Sequence, residues 1–76
     1  MLDMRPNCER CDRDLPPAAA AMICSFECTF CPDCTATMAG ECQNCGGQLL
    51  ARPIRPARLL EQYPASTRRV LAKGGD

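Results

Sequence analysis

The chain has 76 residues, of which eight are cysteine, two Phe and one Tyr, with no Trp and no His. This length allows one domain, and because so few large apolar side chains cannot fill a self-sufficient core, we expect the cysteines to staple it. The formal charge is zero, but it is unevenly distributed: residues 1–50 have seven acidic and three basic side chains, and residues 51–76 have two acidic and six basic ones. The acidic balance of residues 1–50 argues against a nucleic-acid-binding core.

The N-terminal segment, Met1 to Pro6, has no apolar run behind a basic start. The longest apolar stretch, Ala18 to Ile23, is too short for the core of a signal peptide or for a membrane span. We therefore expect a cytoplasmic protein with no membrane association. In that compartment thiols stay reduced and are free to bind metal instead of forming disulfides.

The first half of the chain is predicted to form a loop and then a short hairpin. Residues 12–20 are predicted to be a loop, because Pro16 and Pro17 interrupt any regular element. The segments Ala21 to Cys24 and Glu27 to Phe30 follow, and we expect them to pair with each other as two short strands.

The next elements complete the cysteine-rich part of the chain. Residues Thr35 to Ala39 are the best place for a helical turn or two, with Gly40 as the stop signal. Residues Gln48 to Ala51 are predicted to form one more short strand after the Gly46-Gly47 turn. We predict that these elements belong to a cysteine-rich domain over residues 1–51.

Residues 52–76 are predicted to be a basic, partly disordered tail. Pro53 and Pro56 favour an extended segment, and each removes a backbone donor. Residues Arg58 to Tyr63 are a candidate helical turn. Residues Ser66 to Asp76 have few apolar anchors, and we expect them to be disordered.

The apolar and basic side chains outside the cysteine pairs have ordinary explanations. The side chains that we expect in the core, rather than on a binding surface, are Ile23, Phe26, Phe30, Leu49 and Leu50. The arginines that we expect on a solvated tail, with nucleic-acid phosphate as their alternative partner, are Arg52, Arg55, Arg58, Arg68 and Arg69.

The spacing of the cysteines carries most of the information. The four close pairs are Cys8 and Cys11, Cys24 and Cys28, Cys31 and Cys34, and Cys42 and Cys45. A CxxC turn points two sulfurs at one metal ion, about 2.3 Å from each, and two such pairs complete a tetrahedron. Four pairs therefore predict two sites with no ligand left over, and Zn²⁺ suits four thiolates.

Two groupings of the pairs are compatible with this spacing. Sequential sites would combine the pair 8/11 with 24/28, and 31/34 with 42/45. Interleaved sites would combine 8/11 with 31/34, and 24/28 with 42/45. Only two residues separate Cys28 from Cys31, so sequential sites would be joined by a very short link, whereas interleaved sites would let the central hairpin supply one site from each side.

The order of ligands over residues 8–45 resembles a RING finger, the two-zinc cross-brace domain. In the segment Cys28-Thr29-Phe30-Cys31 an aromatic residue precedes the fifth ligand, as in that family, and cysteine stands where the usual His ligand would be. The resemblance implies a small metal-stabilised α+β domain, a RING-like treble-clef cross-brace with a short hairpin, one short helix and zinc knuckles. The implied ligands are Cys8, Cys11, Cys31 and Cys34 for site 1, and Cys24, Cys28, Cys42 and Cys45 for site 2.

The chain as a whole also resembles a family of short, mostly bacterial eight-cysteine proteins that is known as a domain of unknown function. The segments that carry this likeness are Arg5-Pro6-Asn7-Cys8, Ile23-Cys24-Ser25-Phe26-Glu27-Cys28-Thr29-Phe30-Cys31, Cys45-Gly46-Gly47 and Arg52-Pro53-Ile54-Arg55-Pro56. This resemblance implies no particular activity.

Ubiquitin-ligase activity is not expected from the RING-like pattern. Ligases of that family resemble this chain in their metals but present an apolar platform to a conjugating enzyme. Here the first CxxC encloses Glu9 and Arg10, the last encloses Gln43 and Asn44, and residues 35–41 contain no Trp. The platform positions are therefore polar, small or absent.

Three other chemistries are weaker alternatives. Cys28, Cys31 and Cys34 spell CxxCxxC, as in half of a ferredoxin, but the Cys-Pro that should follow is missing. A CxxC can also be a redox pair, although thiolates held on zinc are capped and inert. Catalytic zinc keeps an open position and often a His ligand, and this chain has no His.

We therefore predict a structural module that binds two Zn²⁺ ions, is not an enzyme and is a monomer that binds a protein partner. Nucleic-acid binding through the arginines of the tail is the alternative.

Overall fold

The computed structural model describes residues 2–71. The elements in chain order are β1 (Met22–Ile23), β2 (Thr29–Phe30), α1 (Pro32–Thr37), β3 (Leu50–Ala51) and α2 (Ala57–Leu60). The sheet has three antiparallel strands in the order β2-β1-β3, so that β1 lies in the middle. The predicted hairpin, the predicted third strand and the α+β class are confirmed. Within residues 2–71 there is no helix that has the length and apolar character needed to cross a membrane.

The hairpin between β1 and β2 positions two of the cysteines. Met22 lies opposite Phe30, and the turn is closed by the amide of Cys24, which donates to the carbonyl of Cys28 at 3.3 Å. Glu27 adopts a left-handed φ of 64° inside this turn. Cys24 and Cys28 therefore lie together at the end of the hairpin.

Helix α1 begins three residues earlier than the predicted segment 35–39. The sulfur of Cys31 acts as its N-cap and accepts a hydrogen bond from the amide of Cys34 at 3.4 Å. Pro32 follows at the first helical position, where its missing N–H costs nothing, and Asp33 lies in the first turn. A cysteine cap is outside the usual N-cap residues, which explains why the sequence pattern placed the start too late.

The end of α1 has the geometry of a Schellman motif. Ala39 adopts a left-handed φ of 56°, and the amide of Gly40 donates back to the carbonyl of Thr35 at 3.0 Å. Gly40 is also left-handed, with a φ of 79°. The helix ends at Thr37, two residues before the predicted end at Ala39, and Gly40 completes the turn that terminates it.

The core is built mainly around the cysteines. Phe30 and Leu49 are buried as expected, and Ile23 is partly buried. Phe26 and Leu50, which we expected in the core, are instead 71% and 59% exposed. Phe26 lies in the tight turn of the hairpin. Leu50, at the start of β3, points to the opposite side of the chain from its buried neighbour Leu49, because side chains alternate along extended backbone.

The burial of Arg52 also differs from the expectation. We expected it on a solvated tail, but only 6% of its surface is exposed. Its guanidinium donates to the backbone carbonyls of Arg5 at 2.9 Å, Leu15 at 3.3 Å and Pro16 at 3.2 Å. Arg52 therefore fastens the segment after β3 to the N-terminal loop.

The chain beyond Arg52 also packs against the rest of the molecule. Helix α2 overlaps the candidate turn at 58–63. Residues 66–70, which we expected to be disordered, form hydrogen bonds with the N-terminal part of the chain, including one from the amide of Ser66 to the carbonyl of Asp3 at 2.8 Å. The remaining part of that expectation, residues 72–76, lies outside the described residues. The boundary between residues 51 and 52 stays a prediction.

Candidate metal centre

Four cysteine sulfurs meet beside the start of α1. The Sγ atoms of Cys8, Cys11, Cys31 and Cys34 all lie within 4.8 Å of one another. The distance between the sulfurs of Cys11 and Cys31 is 3.7 Å. That distance is far too long for a disulfide, but it is close to the edge of about 3.8 Å that a tetrahedron with 2.3 Å zinc–sulfur bonds requires. We call these four residues cluster 1.

Three further sulfurs meet at the end of the hairpin. The Sγ atoms of Cys24, Cys28 and Cys42 lie within 4.8 Å of one another, and we call these residues cluster 2. The sulfur of Cys45 is outside this group but next to it. The Gly47 amide lowers the pKa of the Cys45 thiol, but desolvation and the neighbouring sulfurs of Cys24 and Cys42 raise it overall. Cys45 therefore adjoins cluster 2 on its exposed side.

The sulfurs are grouped in the interleaved order. The pair 8/11 lies with the pair 31/34, and the pair 24/28 lies with Cys42, with Cys45 adjacent. The sequential grouping does not occur in the structure. All eight thiols are free of disulfides. That these groups bind metal, and that Cys45 completes cluster 2, stays a prediction.

Backbone amides point at five of the eight cysteine sulfurs. The amides within 3.3–3.5 Å of a cysteine sulfur are those of Arg10 and Cys11 on Cys8, Phe26 on Cys24, Cys34 on Cys31, Asn44 on Cys42 and Gly47 on Cys45. Hydrogen bonds of this kind favour the thiolate, which is the form that binds metal. The loops are therefore shaped to hold negatively charged sulfur.

The thiol pKa values show the cost of placing four sulfurs together. Burial raises the pKa of Cys8, but the amides of Cys11, Cys31 and Arg10 outweigh it and lower the value to about 7. Burial, together with the neighbouring sulfurs, raises the pKa of Cys34 to about 12, against the lowering effect of the Arg10 guanidinium. Four thiolates cannot coexist here unless a cation neutralises them, so the donor set fits a divalent metal ion.

Glu9 supports cluster 1 in a way that the sequence analysis missed. It is 3% exposed although it lies inside the first CxxC. Its carboxylate accepts hydrogen bonds from the guanidinium of Arg5 at 2.8 Å and from the amide of Thr29 at 2.6 Å, and its own amide donates to the carbonyl of Thr29. These hydrogen bonds fix the loop of the first CxxC to β2. The opposite charges of Arg5 and Glu9 four residues apart were the only signal of this pair.

Most of the arginines considered for nucleic acid are occupied. Arg52 is buried, and the guanidinium of Arg55 donates to the carbonyls of Leu2 and Tyr63. Arg69 donates to Asp12 and Asp14. Arg58 and Arg68 have exposed side chains for which residues 2–71 provide no hydrogen-bond partner. Two free arginines give a weak electrostatic footprint for nucleic acid.

The fold and the sulfur clusters define a small cysteine-rich domain with two candidate metal sites. The chain belongs to the family described as "Protein of unknown function (DUF1272)", which matches residues 1–55. An uncharacterized protein of Rhizobium meliloti (strain 1021) is 62% identical over 77 residues, which cover 99% of this chain and 92% of the relative. No solved structure matches the chain. The resemblance to a bacterial family of unknown function is therefore confirmed, and the comparisons name no activity.

Proposed function

We propose that this protein is a structural two-zinc module of the RING-like cross-brace type that binds another protein and has no catalytic activity of its own. The ligands of site 1 are Cys8, Cys11, Cys31 and Cys34. The ligands of site 2 are Cys24, Cys28, Cys42 and Cys45. Bound zinc would hold the two halves of the chain together and supply folding free energy.

The observation that carries this proposal is the interleaved grouping of the sulfurs. Cluster 1 has the size of a tetrahedral site for a single ion, with sulfurs 3.7 Å apart at Cys11 and Cys31. An iron–sulfur cluster needs more space, because its own irons and sulfides lie between the cysteine ligands. The spacing of the sulfurs therefore favours zinc over iron and sulfide.

The donor set supports a module without catalytic activity. Four cysteines around one ion leave no open position for water or substrate. The sequence has no His, and its cysteines are all assigned to the two sites. We also propose a cytoplasmic location, because thiolate ligands require a reducing compartment. We propose that the protein is a monomer.

Exposed apolar side chains support a protein partner. Phe26, Leu50 and Ile54 are each more than half exposed. A groove of about 370 Å³ runs beside β3 and is lined in part by Ile23, Leu50 and Ala51. Large apolar side chains on the surface of so small a domain are typical of a protein-binding face. A Phe26→Ser variant that keeps its metal should lose a partner that the wild-type protein retains in an affinity capture, and equal retention would contradict this face.

The metal content is the direct test. Native mass spectrometry of protein purified without added metal, compared with the denatured mass, should show two zinc ions per chain and eight free thiols after chelation. Iron with sulfide, or disulfides without metal, would overturn the proposal.

A matched pair of variants tests the fourth ligand of site 2. Cys45→Ser should retain the zinc of site 1 and lose most of the zinc of site 2 at limiting metal. Ser25→Ala, an exposed position in the neighbouring hairpin turn, should keep both ions. If Cys45→Ser bound two ions as tightly as Ser25→Ala, Cys45 would not be a ligand.

A further inference from the structure

The segment Ser66 to Val70 lies against the loop that contains the first CxxC. Its contacts begin with the amide of Ser66 on the carbonyl of Asp3 and continue to Arg69 and Val70. None of the residues that this segment contacts lines the groove beside β3. The loop lies within the family-matched residues 1–55, whereas the segment itself lies outside them.

Asn7 forms hydrogen bonds with the backbone of this segment. Its Nδ2 donates to the carbonyl of Val70 at 2.8 Å, and its Oδ1 accepts from the amide of Val70 at 3.2 Å. The carbonyl of Cys8 and Oδ1 of Asp12 also lie within hydrogen-bond distance of this Nδ2, at 3.1 and 3.0 Å, so its two hydrogens are shared among three acceptors and the side-chain amide is fixed in direction. Asn7 is fully buried. Because it pairs the N–H and the C=O of the same residue, it recognises an extended backbone whatever side chain that residue carries.

Two aspartates bind Arg69, the residue before Val70. The guanidinium of Arg69 donates from Nη1 to Asp14 at 2.7 Å, and from Nη2 to the carboxylate of Asp12 at 3.0 Å and to its carbonyl at 2.7 Å. Asp12 has a left-handed φ of 64°, which turns its carbonyl and its carboxylate toward the same group. The planar fork of arginine serves these acceptors from two different nitrogens, which the single nitrogen of lysine does not offer.

We propose that Asn7, Asp12 and Asp14 form a recognition groove for an extended peptide segment that carries an arginine, and that the chain's own Arg69 and Val70 occupy it as a replaceable ligand. The charge distribution supports this pairing, since acidic side chains predominate in residues 1–50 and basic ones in residues 51–76. The inference goes beyond the proposed zinc module, because it needs the folded first loop but not a particular metal.

The intramolecular segment is suited to exchange. The carboxylate of Asp14 is 81% exposed, and the side chains of Asp12 and Arg69 are about half exposed. Exposed ion pairs are weakened by water and salt, so they hold the segment loosely. An arginine-bearing segment of another protein can therefore compete for the groove when the local one is weakened.

The experiment uses the full chain and a fluorescent, end-blocked peptide with the sequence of residues 65–71. Binding is followed by fluorescence anisotropy at low salt. The peptide should bind the full-length Arg69→Ala variant at least about tenfold more tightly than the wild-type protein, because a tethered segment competes at high effective concentration. A peptide with the change R69K should bind the same variant at least about tenfold more weakly.

Two further measurements keep the test decisive. Adding Asp14→Asn to the Arg69→Ala chain should abolish peptide binding. The carboxylate of Asp14 is 81% exposed and forms no hydrogen bond to a cysteine among the described residues, so the metal content, measured in the same samples, should stay unchanged. In the wild-type protein, saturating peptide should speed hydrogen exchange of the Val70 amide. Equal binding to wild type and Arg69→Ala, or equal binding of the arginine and lysine peptides, with the metal content intact, would overturn the groove without touching the zinc proposal.

Discussion

Arg52 is a buried cation whose partners in the structure are all backbone carbonyls. Those of Arg5, Leu15 and Pro16 together accept its hydrogen bonds. Burial lowers the pKa of Arg52 below its usual value, but the guanidinium is too basic to lose its charge. The role of this residue is therefore to join two loops, and its charge is not available to an external anion.

Replacing Arg52 should destabilise the protein. Arg52→Met keeps much of the apolar stem and removes the donors, leaving buried carbonyls without partners. We expect the free energy of unfolding to fall by about 2–3 kcal/mol, as for hydrogen bonds to charged groups. The matched variant Arg58→Met changes an exposed arginine and should alter stability by less than about 0.5 kcal/mol. Denaturant unfolding at saturating zinc measures both, and equal stabilities would show that the Arg52 contacts contribute nothing.

At the scale of the elements, the end of α1 contains two successive left-handed residues. Ala39 occupies the position where helices prefer glycine, and Gly40 follows it. A Cβ at Gly40 would meet no atom within 4 Å, so any cost of a side chain there comes from the backbone conformation alone. The two positions therefore form a natural pair for measuring that cost.

Opposite substitutions should have opposite effects at this turn. Gly40→Ala should lower the free energy of unfolding by about 1 kcal/mol. A left-handed conformation costs L-residues about 1–2 kcal/mol, and the smaller conformational entropy of the unfolded alanine chain offsets part of that cost. Ala39→Gly should leave stability unchanged or raise it by up to about 1 kcal/mol. Thermal unfolding of the zinc-loaded variants checks the order, and a more stable Gly40→Ala protein would refute this explanation of the turn.

The elements differ in how far they could be predicted from the sequence. Cysteine spacing and the hairpin residues were enough to place three short strands and two sulfur groups, but the residues alone left sequential and interleaved groupings open. The exposure of Phe26 could not be predicted, because an aromatic beside two cysteines is usually core and only the turn geometry turns it outward. The packing of residues 66–70 depends on Asn7, more than fifty positions away, and no local pattern reports such a contact.

For the whole molecule, the small size of the core is the controlling fact. More than half of the buried apolar residues among positions 2–71 are cysteines, and the other large ones are Met4, Leu15, Phe30 and Leu49. Small domains are stable by only about 5–15 kcal/mol, whereas one structural zinc site is worth roughly 10–16 kcal/mol of apparent binding free energy. Metal is therefore expected to decide whether the domain folds at all.

Chelation should unfold the protein. With excess chelator and a reductant present, the far-ultraviolet circular dichroism and the dispersion of the amide NMR signals should collapse, and stoichiometric zinc should restore both. Keeping the reductant throughout controls for disulfide formation. A metal-free chain that kept its amide dispersion would mean that the apolar side chains suffice without zinc.

The interleaved grouping of the sulfurs also sets an order of events during protein synthesis. As the chain leaves the ribosome, Cys24 and Cys28 of cluster 2 emerge before Cys31 and Cys34 can complete cluster 1. The two groups of sulfurs are therefore not completed one after the other by separate segments of the chain. A nascent chain that ended between residues 34 and 42 would carry one full set of sulfurs and two stranded ones, open to capture by the wrong ion or by each other.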